Sequence, residues 1–361
     1  AYAAKGGDRA MARSRSKVTM MDVAREAGVS QSTVSFVVNG STSVRISDAT
    51  RQRVLEVAEA LGYRRFSHSA LDHKGSRVIG FLVDEISTSP FAVASMDGAR
   101  EVAWENDRVL LVSSSGSDPE LERSAIETLL SCRPEGMVIA SILTRRIEPP
   151  AALRDVPTVL LNCYESDNGF PSVVPGEVAG GHTATRRLID AGHRRIAIIG
   201  GEPWMEAARD RLKGYRQALA TADIAAAPEL IREGNWLPSS GYEQTRALMA
   251  LDEPPTGIFC CNDSMAIGCY EALKEQGLRV PEDVSVVGYD DQEVARHMYP
   301  PLTTVVLPHD EMGRWAVETL VTEVASGQKP PLRRVKMECP LVERCSVAAP
   351  RVSSSRRSGM H

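Results

Sequence analysis

No run of about 18 consecutive apolar residues occurs in this 361-residue chain, so a helix crossing a membrane is excluded. No hydrophobic leader opens it either, and the expectation is a soluble cytoplasmic protein without a membrane partner. Cysteine is sparse and unpatterned. The seven cysteines are odd in number, lack metal-ligand spacing and mostly sit in apolar runs such as Phe259-Cys260-Cys261, which reads as reduced core thiols. In that compartment Asn39-Gly40-Ser41 matches a glycosylation sequon only by chance. The chain also lacks a G-x-x-x-x-G-K-[ST] phosphate loop, a G-x-S-x-G nucleophile elbow and a His/Cys ligand cluster. No metal, cofactor or catalytic constellation is therefore expected. The segment from Ser346 to His361 carries no leucine heptads, which argues for a flexible tail and against a terminal coiled coil.

What is present begins with size and charge. A hydrophobic content of 43% over 361 residues is ample for two or three cored domains. The net charge of −5 is unevenly spread. Residues 1–77 carry 13 Lys or Arg against 7 Asp or Glu, a balance of +6, leaving −11 for residues 78–361. A basic end on an acidic remainder suits nucleic-acid contact by one module only. Within residues 18–63 four basic residues face five acidic ones, so the positive charge lies in the flanks, Lys5 to Lys17 and Arg64 to Arg77. Those flanks are expected to supply much of the phosphate attraction, with residues 1–17 disordered.

The stretch Thr19 to Gly40 reads as a helix-turn-helix. Thr19 with Asp22 has the form of a capping box, and a first helix runs to Ala27. Gly28 supplies a sharp turn, Val29 plugs the corner and Ser30 caps a second helix. Val23, Ala24, Ala27, Val29, Val34 and Val37 or Val38 can close a small core, which turns Gln31, Ser32, Thr33, Ser35 and Phe36 outward. A third helix is signalled by Ser47 as cap, by Val54, Leu55, Ala58 and Leu61 at helical spacing, and by Gly62 as stop. An ordinary pair of core helices is the bland alternative to a DNA reader.

VTMMDVAREAGVSQSTVSFVVNG, followed by ATRQRVLEVAEALGY, resembles the headpiece of the lactose-repressor and galactose-repressor (LacI/GalR) family of bacterial transcription regulators. The resemblance implies double-stranded operator DNA as partner, read by Gln31, Ser32 and Phe36. Gln31 suits an adenine edge, Ser32 donates or accepts, and Phe36 can only touch a thymine methyl. Relatives often carry Arg or His where Phe36 stands, and a partly buried packing role is its alternative. Thr19, Ser30, Thr33, Ser35 and Asn39 are candidates for phosphates, where they position rather than specify. In the linker, residues 64–77, the resemblance implies a hinge helix whose Leu71 wedges into the minor groove. The family's Pro-Asn pair is absent upstream, and packing on the next domain is the other reading of Leu71.

From Val78 onward short apolar strands alternate with amphipathic helices. VIGFLVD, VLLVS, GMVIAS and TVLLN form one series of strands, and RIAIIG, GIFCC and VSVVG a second. Helices are expected near 91–106, 119–132, 178–191, 206–222, 239–251 and 262–276. Continuous apolar strands separated by helices mean parallel sheets covered on both faces, so the fold class is an α/β core of two parallel-sheet lobes with an N-terminal all-α domain. The resemblance implies a core similar to a type I periplasmic binding protein, with an effector cleft between lobes. Its three crossovers are expected near 162, 291 and 325, giving an N-lobe of 78–162 with 291–325 and a C-lobe of 163–290 with 326–345.

Ligands of open α/β sheets bind at the carboxyl ends of the strands. There Arg211, Asn262, Asp263 and Asp290 match effector-contacting positions of relatives, and Trp236 matches a sugar-facing tryptophan. Phe91, Tyr164 and Trp204 are weaker aromatic candidates, and Asn162 stands where relatives often have Asp. Asp84 and Glu85 are further possibilities at the first strand end. Ordinary structural roles compete: a helix cap for Asp263, a loop carboxylate for Asp291, lobe packing for Trp204. An Arg fork, amide and carboxylate groups and an aromatic face suit a polyhydroxylated ligand, so a sugar is the expected effector. The resulting expectation is a homodimeric, ligand-responsive repressor on a pseudo-palindromic operator. The rivals are a sugar-metabolising enzyme carrying a DNA reader, and a ligand receptor whose helical headpiece does not bind DNA.

Overall fold

The computed structural model describes residues 20–38, 46–61, 77–85, 90–167, 169–328 and 331–351. The chain forms two units, Ala1–Lys74 and Gly75–His361.

In the first unit α1 (Met20–Ala27), α2 (Gln31–Val38) and α3 (Asp48–Ala60) enclose Val23, Ala24, Ala27, Val34, Val37, Val54 and Ala58. Gly28 makes the turn at φ +64°, where a Cβ would strain the backbone, and Val29 N–H then donates to the Ala24 carbonyl at 3.0 Å. Ser30 Oγ accepts from Thr33 N at 3.1 Å and Ser47 Oγ from Thr50 N at 3.3 Å, so both expected caps are in place. Leu55 corrects the sequence reading: it is 46% exposed, because it sits about 100° around α3 from buried Val54. Asp22 pairs with Arg25 at 2.5 Å, while Thr19 and Gly62 lie outside the described residues.

The second unit runs in order β1 (Val78–Val83), α4 (Pro90–Glu105), β2 (Val109–Ser114), α5 (Pro119–Ser131), β3 (Gly136–Arg146), β4 (Thr158–Tyr164), β5 (Ser172–Pro175), α6 (Glu177–Asp190), β6 (Ile196–Gly200) and α7 (Glu206–Thr221). It continues with β7 (Ile231–Glu233), α8 (Pro238–Met249), β8 (Gly257–Cys260), α9 (Asp263–Glu275), β9 (Ser285–Asp290), α10 (Glu293–His297), β10 (Thr303–Val306), α11 (His309–Ser326), β11 (Arg334–Met337) and β12 (Leu341–Val342). One sheet has the order β11-β5-β4-β3-β1-β2 and the other β12-β10-β9-β8-β6-β7. Every pairing is parallel except β10 with β12. Strands buried on both faces, such as β9 with all six residues buried, carry the apolar runs seen in the sequence.

The crossovers fall later than 162, 291 and 325. β5 still belongs to the N-lobe sheet and β10 to the C-lobe sheet, while β11 returns to the N-lobe and β12 to the C-lobe. The chain therefore changes lobe at 176, at 307–308 and at 338–340. SVVP, TTVV and RVKM are four-residue strands without a long apolar run, so the sequence reading ended each lobe one element early. The expected flexible tail is also corrected at its start. Ser346 is fully buried, its Oγ accepts from Thr303 N at 2.8 Å and donates to the Val286 carbonyl at 2.6 Å, and Ala348 N–H donates to Ser285 Oγ at 3.0 Å.

Candidate functional site

On the helical unit, α2 begins with exposed Gln31 and Ser32, and Ser35 and Phe36 are half-buried. The Ser30 hydroxyl is the hub of that helix start. Besides Thr33 N it meets Ser32 Oγ and Thr33 Oγ1, both at 2.8 Å. A ring of short hydroxyls at a helix N-terminus is suited to phosphate oxygens and base edges, because all of them can switch between donating and accepting. Half-burial of Phe36 places its packing role beside any thymine contact. Thr19, Asn39 and Leu71 lie outside the described residues.

In the second unit a cavity of about 840 Å³ lies between the lobes at the carboxyl ends of the strands. Its centre is Arg211 on α7, only 3% exposed. The guanidinium Nε and Nη2 donate to the two carboxylate oxygens of Glu177 at 2.7 and 2.8 Å, and Nη1 donates to the Cys261 carbonyl. Asp290 Oδ1 lies 3.6 Å from the same Nη1. The Tyr289 and Trp236 rings cover the guanidinium at 3.7 and 5.6 Å from their centroids. A planar fork with an aromatic on its face is a role lysine cannot fill.

Two buried carboxylates thus share one cation. Burial disfavours the charged form of Arg211, yet the charge of Glu177 holds its pKa well above the ordinary value. Burial pushes the Asp290 carboxyl well above the usual carboxylate range, against the pull of Arg211 and with the repulsion of Asp263 and Glu177. Asp290 also accepts from Gln292 Nε2 at 3.2 Å, and ligand hydroxyls donating to it would offset more of the cost of its burial.

Trp236 stands beside this cluster on Gly201, where an added Cβ would come within 1.8 Å of the indole. Gly201 is therefore the floor under the tryptophan. Its indole N–H points to Met205 Sδ at 2.8 Å, and the Asn262 amide donates to the Trp236 carbonyl at 3.0 Å while its Oδ1 caps α9 through Met265 N at 2.8 Å. Asn162, Trp236 and Asp290 take φ of +54°, +68° and +109°. Such backbone costs about 1–3 kcal/mol each in non-glycine residues and gathers at binding sites.

The N-lobe wall holds Asn162, Tyr164, Phe91 and His309. Asn162 Oδ1 accepts from Thr144 Oγ1 at 2.6 Å and its Nδ2 donates to the Ser141 carbonyl at 2.9 Å, so it braces β3 against β4. The Tyr164 hydroxyl reaches across to Glu206 at 2.8 Å, and Trp204, 65% exposed, stands at the rim rather than packing between lobes. Phe91 stacks on His309 with centroids 5.1 Å apart.

Eight of the nine expected effector residues line the cleft, and Asp263 does not. It is fully buried, accepting from Thr304 Oγ1 at 2.6 Å and Gln292 N at 2.8 Å, so it pins α9 to the C-lobe sheet. Asp84 is likewise diverted, accepting from Ser141 Oγ at 2.6 Å and Ile142 N at 2.9 Å and pairing with Arg145. Asp291 is held by Arg344 at 2.6 Å. The sequence reading missed Glu177, Glu206 and His309. Each opens a helix after a lobe change or a turn, where an acidic or polar residue looks like an ordinary first-turn residue.

Residues 19–65 match the family model described as bacterial regulatory proteins, lacI family, and residues 185–347 match the periplasmic binding protein-like domain. The chain is 35% identical over 307 residues to the ribose operon repressor of Haemophilus influenzae, covering 85% of this chain and 92% of that protein. The chain belongs to the LacI family. It is also 34% identical to the HTH-type transcriptional repressor PurR of Vibrio cholerae, over 91% of this chain and 98% of that protein. Among solved structures, the Lac repressor dimer bound to operator and an anti-inducer superposes with a TM-score of 0.68 at 30% identity, over 92% of this chain and 99% of that one. The complex of the transcriptional regulator CelR with cellobiose gives 0.62 at 31% identity, over 91% and 99%. This LacI-family member is thus a DNA-binding transcription regulator and not an enzyme. No helix among its described residues is long and apolar enough to cross a membrane.

Burial holds the His309 imidazole neutral, with a pKa lowered to about 3, and Arg211 opposes protonation further. The unfolded chain, near 6.5, binds a proton that the native state refuses, so stability falls as pH drops from about 6.5 toward 3. Relative to His309→Phe, the wild type is expected to lose about 2 kcal/mol more between pH 7.5 and 5 in urea denaturation. Parallel pH profiles for the two proteins would refute the assignment.

Proposed function

We propose that this regulator is a homodimeric repressor acting in the cytoplasm on a pseudo-palindromic operator, and that a sugar bound in the interlobe cleft controls its operator affinity. The observation that carries the sugar assignment is the Arg211–Glu177–Asp290 cluster beside the Trp236 ring. Carboxylates and a guanidinium satisfy hydroxyls of either polarity, and an indole face covers the apolar C–H side of a pyranose or furanose. Similarity to a ribose operon repressor and to a regulator solved with cellobiose supports the same ligand class. Effector that prefers one lobe arrangement shifts the population toward it, and operator must then alter effector affinity by the same factor.

The test is a thermal-shift screen of monosaccharides, disaccharides and purine bases on wild type and Asp290→Asn. A sugar that stabilises the wild type by several degrees and leaves the variant unmoved supports the assignment. Stabilisation by a purine alone would move the cleft to another ligand class.

The N-lobe carries the apolar surface for dimerisation. β2 is an edge strand whose Val109, Leu111 and Val112 are 59%, 39% and 40% exposed, and neighbouring α4 exposes Val93 and Trp104 at 48% and 75%. An apolar edge of this kind is a liability unless a partner covers it. The α9 surface is by contrast mostly buried within the C-lobe and shows charged Glu271, Lys274 and Glu275. Trp104→Glu with Val112→Glu is expected to convert a dimer into a folded monomer in sedimentation velocity. A dimer unaffected by both changes would place the interface elsewhere.

A further inference from the structure

His309 is the one cleft residue among those described whose buried polar atom has no partner. Its Nδ1 lies 3.1 Å from Ser95 Oγ on α4, and Phe91, also on α4, stacks against its ring. The other ring nitrogen, Nε2, is buried without a hydrogen bond, on a residue that is 3% exposed and lines the cavity. An unsatisfied buried nitrogen is costly, and native proteins keep one where a ligand completes it. The residue follows directly on the 307–308 crossover and opens α11, so it belongs to the N-lobe wall, whereas Arg211 and Asp290 belong to the C-lobe.

We propose that His309 Nε2 is a specificity-determining contact that hydrogen-bonds one hydroxyl of the effector from the N-lobe side. This rests on the reading of the cleft as a sugar site. The ring orientation is set before ligand arrives: the Phe91 stack fixes its plane and Ser95 engages Nδ1. If Ser95 donates to Nδ1, Nε2 carries the proton and donates; if Nδ1 donates, Nε2 accepts. A sugar hydroxyl serves either case, because it both donates and accepts. A carboxylate or phosphate oxygen can only accept, and it would also face the buried Glu177 and Asp290 carboxylates, so the contact favours a neutral hydroxyl over an anionic group. One ligand spanning His309 and the Arg211–Asp290 pair touches both lobes, and its binding energy then bears on their arrangement.

The test uses the full-length protein and calorimetric titration with D-ribose, D-xylose, D-glucose, D-galactose and cellobiose, followed by singly deoxygenated forms of the tightest binder. His309→Phe keeps the stack on Phe91 and removes the nitrogen, and His309→Gln restores a polar group that donates or accepts. Affinity of the tightest binder should fall about ten- to hundred-fold in His309→Phe and recover in part in His309→Gln. One deoxy sugar should lose affinity for the wild type and lose nothing further in His309→Phe. The 15N resonance of Nε2 in the wild type should shift on sugar addition. If sugar binds the wild type and His309→Phe equally, with the Nε2 resonance unmoved, the contact is refuted while the sugar cleft stands. If none of the five sugars binds the wild type, the sugar reading fails and this contact fails with it.

Discussion

Arg211→Ala is expected to abolish effector response and to destabilise the core by about 3–5 kcal/mol, the cost of leaving a buried charge without its partner. Glu177 is as buried as Arg211, both side chains being 3% exposed, and it has no other ion-pair partner among the described residues. Asp290 would lose the same cation, and the faces of Tyr289 and Trp236 would lose their filling. A loss of that size corresponds to a fall in melting temperature of roughly 10 °C for a core of this length. Arg211→Lys should recover part of the stability but little of the response, since an ammonium cannot span both Glu177 oxygens and still reach the Cys261 carbonyl. Differential scanning calorimetry with and without effector separates the two effects. An Arg211→Ala protein that melts within about 2 °C of wild type would show that the cluster does not hold the C-lobe together.

The second large effect concerns DNA. Changing Gln31 and Ser32 to Ala together is expected to lower affinity for the selected operator about a hundred-fold, at about 1–3 kcal/mol for a lost bidentate base contact. Binding to random duplex, and the slope of affinity against salt, should stay nearly unchanged, because those come from phosphate contacts. Gln31 should account for most of the loss, since Ser32 Oγ is already engaged by Ser30 and gains less by turning to a base. Fluorescence anisotropy at one fixed salt concentration, on an operator obtained by selection from random sequence, measures both quantities. An unchanged ratio of specific to random binding would mean that base readout lies elsewhere on the helical unit. Phe36 makes a poorer probe, because it is half-buried and its removal mixes lost packing with lost contact.

The helix-turn-helix was legible because its signals are local: a glycine at φ +64°, a serine cap within three residues of the amide it holds, and valines at helical spacing. The long strands were legible for a similar reason, as their apolar runs end in turn residues. Short strands were not, and SVVP, TTVV and RVKM shifted every lobe boundary by an element. Leu55 shows the limit of periodicity: adjacent apolar Val54 and Leu55 looked alike in sequence, yet Val54 is buried and Leu55 is turned to solvent.

The site divides along the same line. The residue types at the strand ends, with the resemblance of their motifs, determined that Arg211, Trp236, Asn262 and Asp290 gather in one cleft. Only the tertiary structure decided which charges are spent within the protein and which remain for a ligand. Asp263 and Asp290 both follow apolar strands, yet Asp263 is turned away to accept from Thr304 and Gln292 while Asp290 lines the cleft beside Arg211. Glu177 and His309 open helices just after a lobe change, 34 and 98 residues from Arg211 in sequence; Glu177 reaches it through the packing of α6 against α7, and His309 comes to line the same cavity from the other lobe. Local sequence determines what a short segment does, because caps and turns act over a few residues. Hydrogen-bond and charge partners separated by many tens of residues depend on the packing of whole elements, and no local pattern records them.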